Sequence, residues 1–156
     1  VPSRTCSNIL PETCLELAGA CDNIIGIKEC SGNYENIMKI IKDKPENFLV
    51  ISGNDSEVLT MTAVGGSGVI SVLANAYPAE WSEMVQQALK NNFKTAREIQ
   101  FKYLEMTELL FAEGNPAGIK AIMSNMNLCQ NNLRLPLVPV SRSMQTRIAR
   151  AMGTLK

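Results

Sequence analysis

Three short apolar runs divide the first half of the chain: NIIGIK at 23–28, FLVIS at 48–52 and GVISV at 68–72. Each is rich in β-branched residues and continuous rather than alternating, over about five positions. Such runs predict strands covered on both faces, as in a parallel sheet. Helical spacing fills the gaps between them. NYENIMKIIKD places Ile37, Ile40 and Ile41 on one face, and SEVLTMTAV groups Val58, Leu59 and Thr62. Ser56 stands where it would cap the second of these helices, with Asp55 adding favourable charge at its start. Strands and single helices alternating about every 20 residues predict βαβ units.

After residue 77 the strand pattern stops. PAEWSEMVQQALKNN opens with Pro78 in a first helical turn, and 93–114 reads as one long amphipathic helix ended by Gly114. PAGIKAIMSNMN and SRSMQTRIARAM predict two more helices, joined by the proline-punctuated LRLPLVPV. The fold class is therefore α/β, with the end of a parallel-sheet domain followed by a helical appendage. Three βα units alone do not bury both faces of a sheet. The expectation is that further strands precede Val1 or come from another chain, and the start at Val1-Pro2 favours the former.

Composition narrows the chemistry. The chain is 46% hydrophobic and 19% charged, in the range of a soluble globular domain. Fifteen basic and fifteen acidic side chains cancel, so no electrostatic footprint points to nucleic acid or to an anionic membrane. No apolar run approaches the ~20 residues of a membrane-spanning helix. Five cysteines, at 6, 14, 21, 30 and 129, form no Cys-x-x-Cys pair and read as free thiols of a reducing cytosol. Histidine is absent, which argues against a zinc site and against Ser-His-Asp or Cys-His catalysis in this segment.

Lys28 is the sharpest candidate. A lysine at the C-terminal end of a parallel strand lies where α/β folds gather their active sites. Apolar neighbours Ile25 and Ile27 would leave its ammonium poorly hydrated, which lowers a lysine pKa and yields the neutral amine that attacks ketones. The plainer alternative is a lysine reaching out to water, or paired with Glu29. In VPSRT (1–5), Pro2 disfavours a helix and the stretch reads as a loop. Arg4 is suited to a bidentate grip on a carboxylate, or is a surface arginine. GGSG at 65–68 precedes a strand rather than opening a helix, so it reads as a tight turn and not a phosphate loop. SGND at 52–55 reads as a turn with a helix cap, and NPAGIK at 115–120 as a helix start with an exposed Lys120.

The order VPSRT, GIKE, SGND, GGSGVISV, NP…K and LRLP resembles the C-terminal part of the dihydrodipicolinate synthases, members of the pyruvate-dependent class I aldolases. The resemblance covers nearly the whole chain. It implies the last three strands of a (β/α)8 barrel over 1–77, with the loop after strand five. Over 78–156 it implies the last barrel helix and a C-terminal helical domain. Lys28 would be the Schiff-base lysine and Arg4 would hold the aldehyde substrate's carboxylate. Ile70 would turn its backbone carbonyl toward the lysine and bound pyruvate. The substrates implied are pyruvate and L-aspartate-4-semialdehyde, with no metal or organic cofactor. The implied protein is a cytoplasmic homotetramer of lysine (diaminopimelate) biosynthesis.

The family's catalytic tyrosine would lie two residues before Val1. Its Thr-Thr loop and first five strands also lie outside the sequence, so this segment alone is expected to be inactive. Two departures stand out. Gly118 replaces a common proline, which suggests a looser helix there, and Cys30 replaces a common alanine. The rival readings are a sister aldolase, such as N-acetylneuraminate lyase or 2-keto-3-deoxygluconate aldolase, and a non-catalytic scaffold.

Overall fold

A computed structural model describes residues 1–155. The three apolar runs do form strands: β1 (Gly26–Glu29), β2 (Leu49–Ser52) and β3 (Gly68–Val69). They make one parallel sheet in the order β1-β2-β3. Lys28 is level with Ile51, and Ile51 with Gly68, while Glu29 is level with Ser52 and Ser52 with Val69. Interleaved with the strands are the helices α1 (Pro2–Thr5), α2 (Pro11–Ala20), α3 (Tyr34–Asp43) and α4 (Val58–Ala63), and α5 (Pro78–Leu89) follows β3 in the chain. The rest is helical: α6 (Phe93–Lys102), α7 (Leu104–Ala112), α8 (Ala117–Asn125) and α9 (Arg142–Thr154).

The chain divides into two compact units. The first holds residues 1–71 and 85–93, the second residues 72–84 and 94–156. In the first, α2 packs on α3, and Cys14, Ile37, Ile40, Phe48, Val50 and Met61 make the core. Asn33 caps α3, its side chain accepting from Asn36 N at 3.1 Å. In the second, α7 packs on both α8 and α9, and α8 on α9. Tyr103 is buried there, its ring 4.9 Å from that of Tyr77 and edge-on to Trp81 at 6.0 Å. Burial and the nearby Glu80 carboxylate push the Tyr103 phenol up to about 12.

Several local expectations are corrected. The strands are not covered on both faces. Val50, Ser52 and Glu29 are buried, whereas Leu49 and Lys28, on the other side of the pleat, are exposed. Helices cover one face only, so the unbroken apolar runs overstate the burial within this chain. VPSRT is a helical turn, α1, because a proline is tolerated at the first helical position, where its missing N–H would have no partner. The third strand stops at Val69, and the chain turns away through Ser71, whose hydroxyl donates to buried Asp55. Ser56 lies in a 3-10 turn ahead of α4, whose N-cap is Glu57.

The long helix is two helices. It breaks at Tyr103, whose N–H is shared between the carbonyls of Ile99 and Gln100 at 3.3 and 3.2 Å. The helix at Gly118 is not loose. A Cβ there would fall 2.0 Å from the Leu110 carbonyl oxygen, so glycine is what lets α8 approach α7 this closely.

Candidate active site at the strand ends

Side-chain alternation decides what each strand position faces. Glu29, Val50 and Ser52 point into the helix-covered layer. Lys28 and Ile51 lie level with each other on the open face, at the C-terminal ends of β1 and β2. Ile70 follows Val69, so the same alternation puts it on the open side, where it is 50% exposed. Its N–H donates to Ser52 O at 2.8 Å, which carries the ladder one step past β3. The structure therefore brings Lys28 and Ile70 to one face at one rim of the sheet.

Glu29 does not pair with Lys28. It is 4% exposed on the opposite face, and its carboxylate accepts from Ser31 N at 2.5 Å, closing the turn after β1. Lys28 itself is exposed. The poorly hydrated amine expected from its apolar neighbours is thus not produced by this chain alone. Leu49 is 41% exposed and Ile70 50%, because nothing in residues 1–155 covers that side of the sheet. Beside β1 lies a small cavity of ≈ 190 Å³, walled by Lys28, Ile27 and Glu29 and by the 1–9 segment through Val1, Thr5 and Ile9. Arg4 is exposed on α1, one residue from Thr5 at that wall, and does not itself line it.

Two neighbours of Lys28 are not evident from the motifs. Gly53 continues β2, donating its N–H to Glu29 O at 2.8 Å. Cys30 lies two residues beyond Lys28. Burial raises the Cys30 thiol pKa, and the Lys28 ammonium pulls the other way. A second layer braces the rim. Asn54 Nδ2 donates to Glu57 Oε2 at 3.0 Å, and the Ser71–Asp55 bond ties the turn after β3 to the turn after β2. The sequence signal for this layer was SGND, which also reads as an ordinary turn and cap. Among the described residues no group of acidic, thiol or histidine side chains is placed to hold a metal ion.

A parallel sheet flanked by helices, with a lysine on its open face at the C-terminal rim, defines an α/β fold of the kind that gathers chemistry at its strand ends. The model of the dihydrodipicolinate synthetase family matches residues 1–155. A 4-hydroxy-tetrahydrodipicolinate synthase of Flavobacterium psychrophilum is 45% identical over 148 residues, 95% of this chain and 50% of that protein. One of Phocaeicola vulgatus is 46% identical over 156 residues, 100% of this chain and 52% of the relative. The crystal structure of dihydrodipicolinate synthase from Aquifex aeolicus superposes with a TM-score of 0.95 at 37% identity, covering 98% of this chain and 52% of that one. The chain belongs to the dihydrodipicolinate synthetase family and spans about half the length of the relatives it matches.

Proposed function

We propose that this chain is the catalytic-lysine half of a 4-hydroxy-tetrahydrodipicolinate synthase, a lyase of class I aldolase type in lysine biosynthesis. In this reading residues 1–77 are the last part of a (β/α)8 barrel, and 78–156 are its last helix and a C-terminal helical domain. What carries the reading is the placement of Lys28 and Ile70 on one open face, at the C-terminal ends of the two strands that flank β2. The open apolar surface around Lys28, with Leu49 and Ile70 exposed, is what strands absent from this chain would cover. Their closure would exclude water from around the amine.

The chemistry then runs as follows. The neutral Lys28 amine attacks the ketone of pyruvate, water leaves, and an iminium forms. Loss of a methyl proton gives the enamine, whose carbon attacks the aldehyde of L-aspartate-4-semialdehyde. Arg4 meets that substrate's carboxylate, and the Ile70 carbonyl faces the bound pyruvate. The semialdehyde's own α-amino group then attacks the imine carbon, closing the ring as the bond to the Lys28 nitrogen breaks and the lysine amine is released. No metal or organic cofactor enters these steps. The intact protein is a cytoplasmic tetramer in this reading. Curated relatives 45–46% identical to this chain carry the synthase name, which favours it over a sister aldolase or a non-catalytic scaffold.

Borohydride trapping tests the core of the proposal. In a full-length protein carrying this segment, reduction in the presence of pyruvate places a covalent adduct on Lys28, read by peptide mass spectrometry. An adduct on another lysine, or none, refutes the assignment. Pyruvate release from N-acetylneuraminate, in place of condensation with the semialdehyde, would identify a sister aldolase.

A further inference from the structure

Gly53 is not required by its backbone. Positive φ values occur at Gly32, Gly65, Gly68 and Gly114 but not at Gly53, so a residue with a side chain would fit its conformation. Space is what excludes one. A Cβ at position 53 would stand 1.9 Å from Cys30 Sγ, 2.6 Å from Lys28 Cε and 3.2 Å from Lys28 Cγ. The volume a side chain would take is already filled by the stem of Lys28 and the thiol of Cys30. Lys28 and Cys30 are two residues apart and Gly53 extends the neighbouring strand, so all three meet on the open face. Lys28 Cε lies over the Gly53 backbone, one bond from the nitrogen that would react.

We infer that Gly53 is a positioning residue. Its missing side chain leaves the channel along which Lys28 runs to the strand-end rim, and so sets where the amine is presented. The inference rests on the imine role of Lys28 proposed above. Of the two crowded groups, the thiol turns aside by one bond rotation, so a protein with a small side chain at 53 still folds. Lys28 avoids a Cβ only by leaving its path, and a displacement of ~1 Å at a reacting group costs on the order of 10²-fold in rate.

The test compares Gly53→Ala in two backgrounds of the full-length protein, Cys30 and Cys30→Ala. The expected result is a fall of ~10²-fold in the rate of pyruvate imine formation in both backgrounds. The accompanying drop in thermal midpoint is expected to be largely relieved once the thiol is gone. Recovery of the imine rate together with stability would overturn the inference, because it would reduce Gly53 to relief of crowding. A second readout needs no pyruvate. Pulse acetylation of the folded protein with acetic anhydride, followed by mass spectrometry, is expected to show a changed rate at Lys28 and unchanged rates at exposed Lys39 and Lys42. An unchanged Lys28 rate sinks the positioning role. A changed rate with no pyruvate adduct in the parent protein upholds positioning and rejects the imine reading.

Discussion

Glu113 terminates α7 and holds the start of α9. Its carboxylate accepts from Ser141 N and from Ser141 Oγ, both at 2.6 Å. Ser141 Oγ in turn caps α9 by accepting from Met144 N at 3.2 Å. The two donors from Ser141 hold the Glu113 carboxyl below its ordinary value of 4.5. A carboxyl depressed in the folded state contributes stability that is present above its unfolded pKa and lost as pH falls through the folded one. Thermal unfolding of the wild type should therefore lose midpoint temperature more steeply below pH ~4.5 than that of Glu113→Gln, which cannot titrate. Parallel curves would show that these hydrogen bonds carry no pH-dependent stability. Residues of this kind were hard to read in advance, since Glu113 and Ser141 are far apart in sequence and meet only through the packing of α7 and α9. Lys28 was legible because its position at the end of an apolar run is a local fact. Gly53 was not, because its role depends on the register that lays Lys28 across it.

At the scale of elements, Gly118 shows tertiary contact overriding local preference. On helix propensity alone, alanine at this position would gain ~1 kcal/mol over glycine. Here its Cβ would meet backbone, 2.0 Å from Leu110 O and 2.7 Å from Leu110 C, and α8 would have to move off α7. Overpacking of this sort costs ~1–3 kcal/mol or more and outweighs the propensity gain. Gly118→Ala is expected to lower the melting temperature by several degrees, at ~2–4 °C per kcal/mol for a chain of this size. A raised midpoint would mean that the two helices separate at no cost. The three strands and the helices after β1 were legible from periodicity, and the parallel sheet followed from them, whereas α1 and α2 were not. The ends of elements were less so. The helix break falls at the buried Tyr103, and β3 ends two residues before Ser71, which bonds Asp55; neither feature leaves a mark on local pattern.

For the whole molecule, the governing feature is a sheet covered by helices on one side only. A chain about half as long as its relatives has a complete helix-facing core, with Ile37, Ile40, Val50 and Val58 fully buried, and an uncovered face that carries the candidate chemistry. Tested by itself, this segment should give no measurable condensation of pyruvate with the semialdehyde, and turnover by the pure segment would refute the proposed dependence on the missing strands. The alternation also has a genetic consequence. Saturation mutagenesis of the full-length protein through 27–29 and 50–53 should give a two-beat phenotype. Polar or bulky changes at Ile27, Glu29, Val50 and Ser52 would lower cellular abundance. Changes at Lys28, Ile51 and Gly53 would leave much of the protein in place but silence lysine prototrophy, so that in a growth selection neighbouring codons would tolerate variation for unrelated reasons.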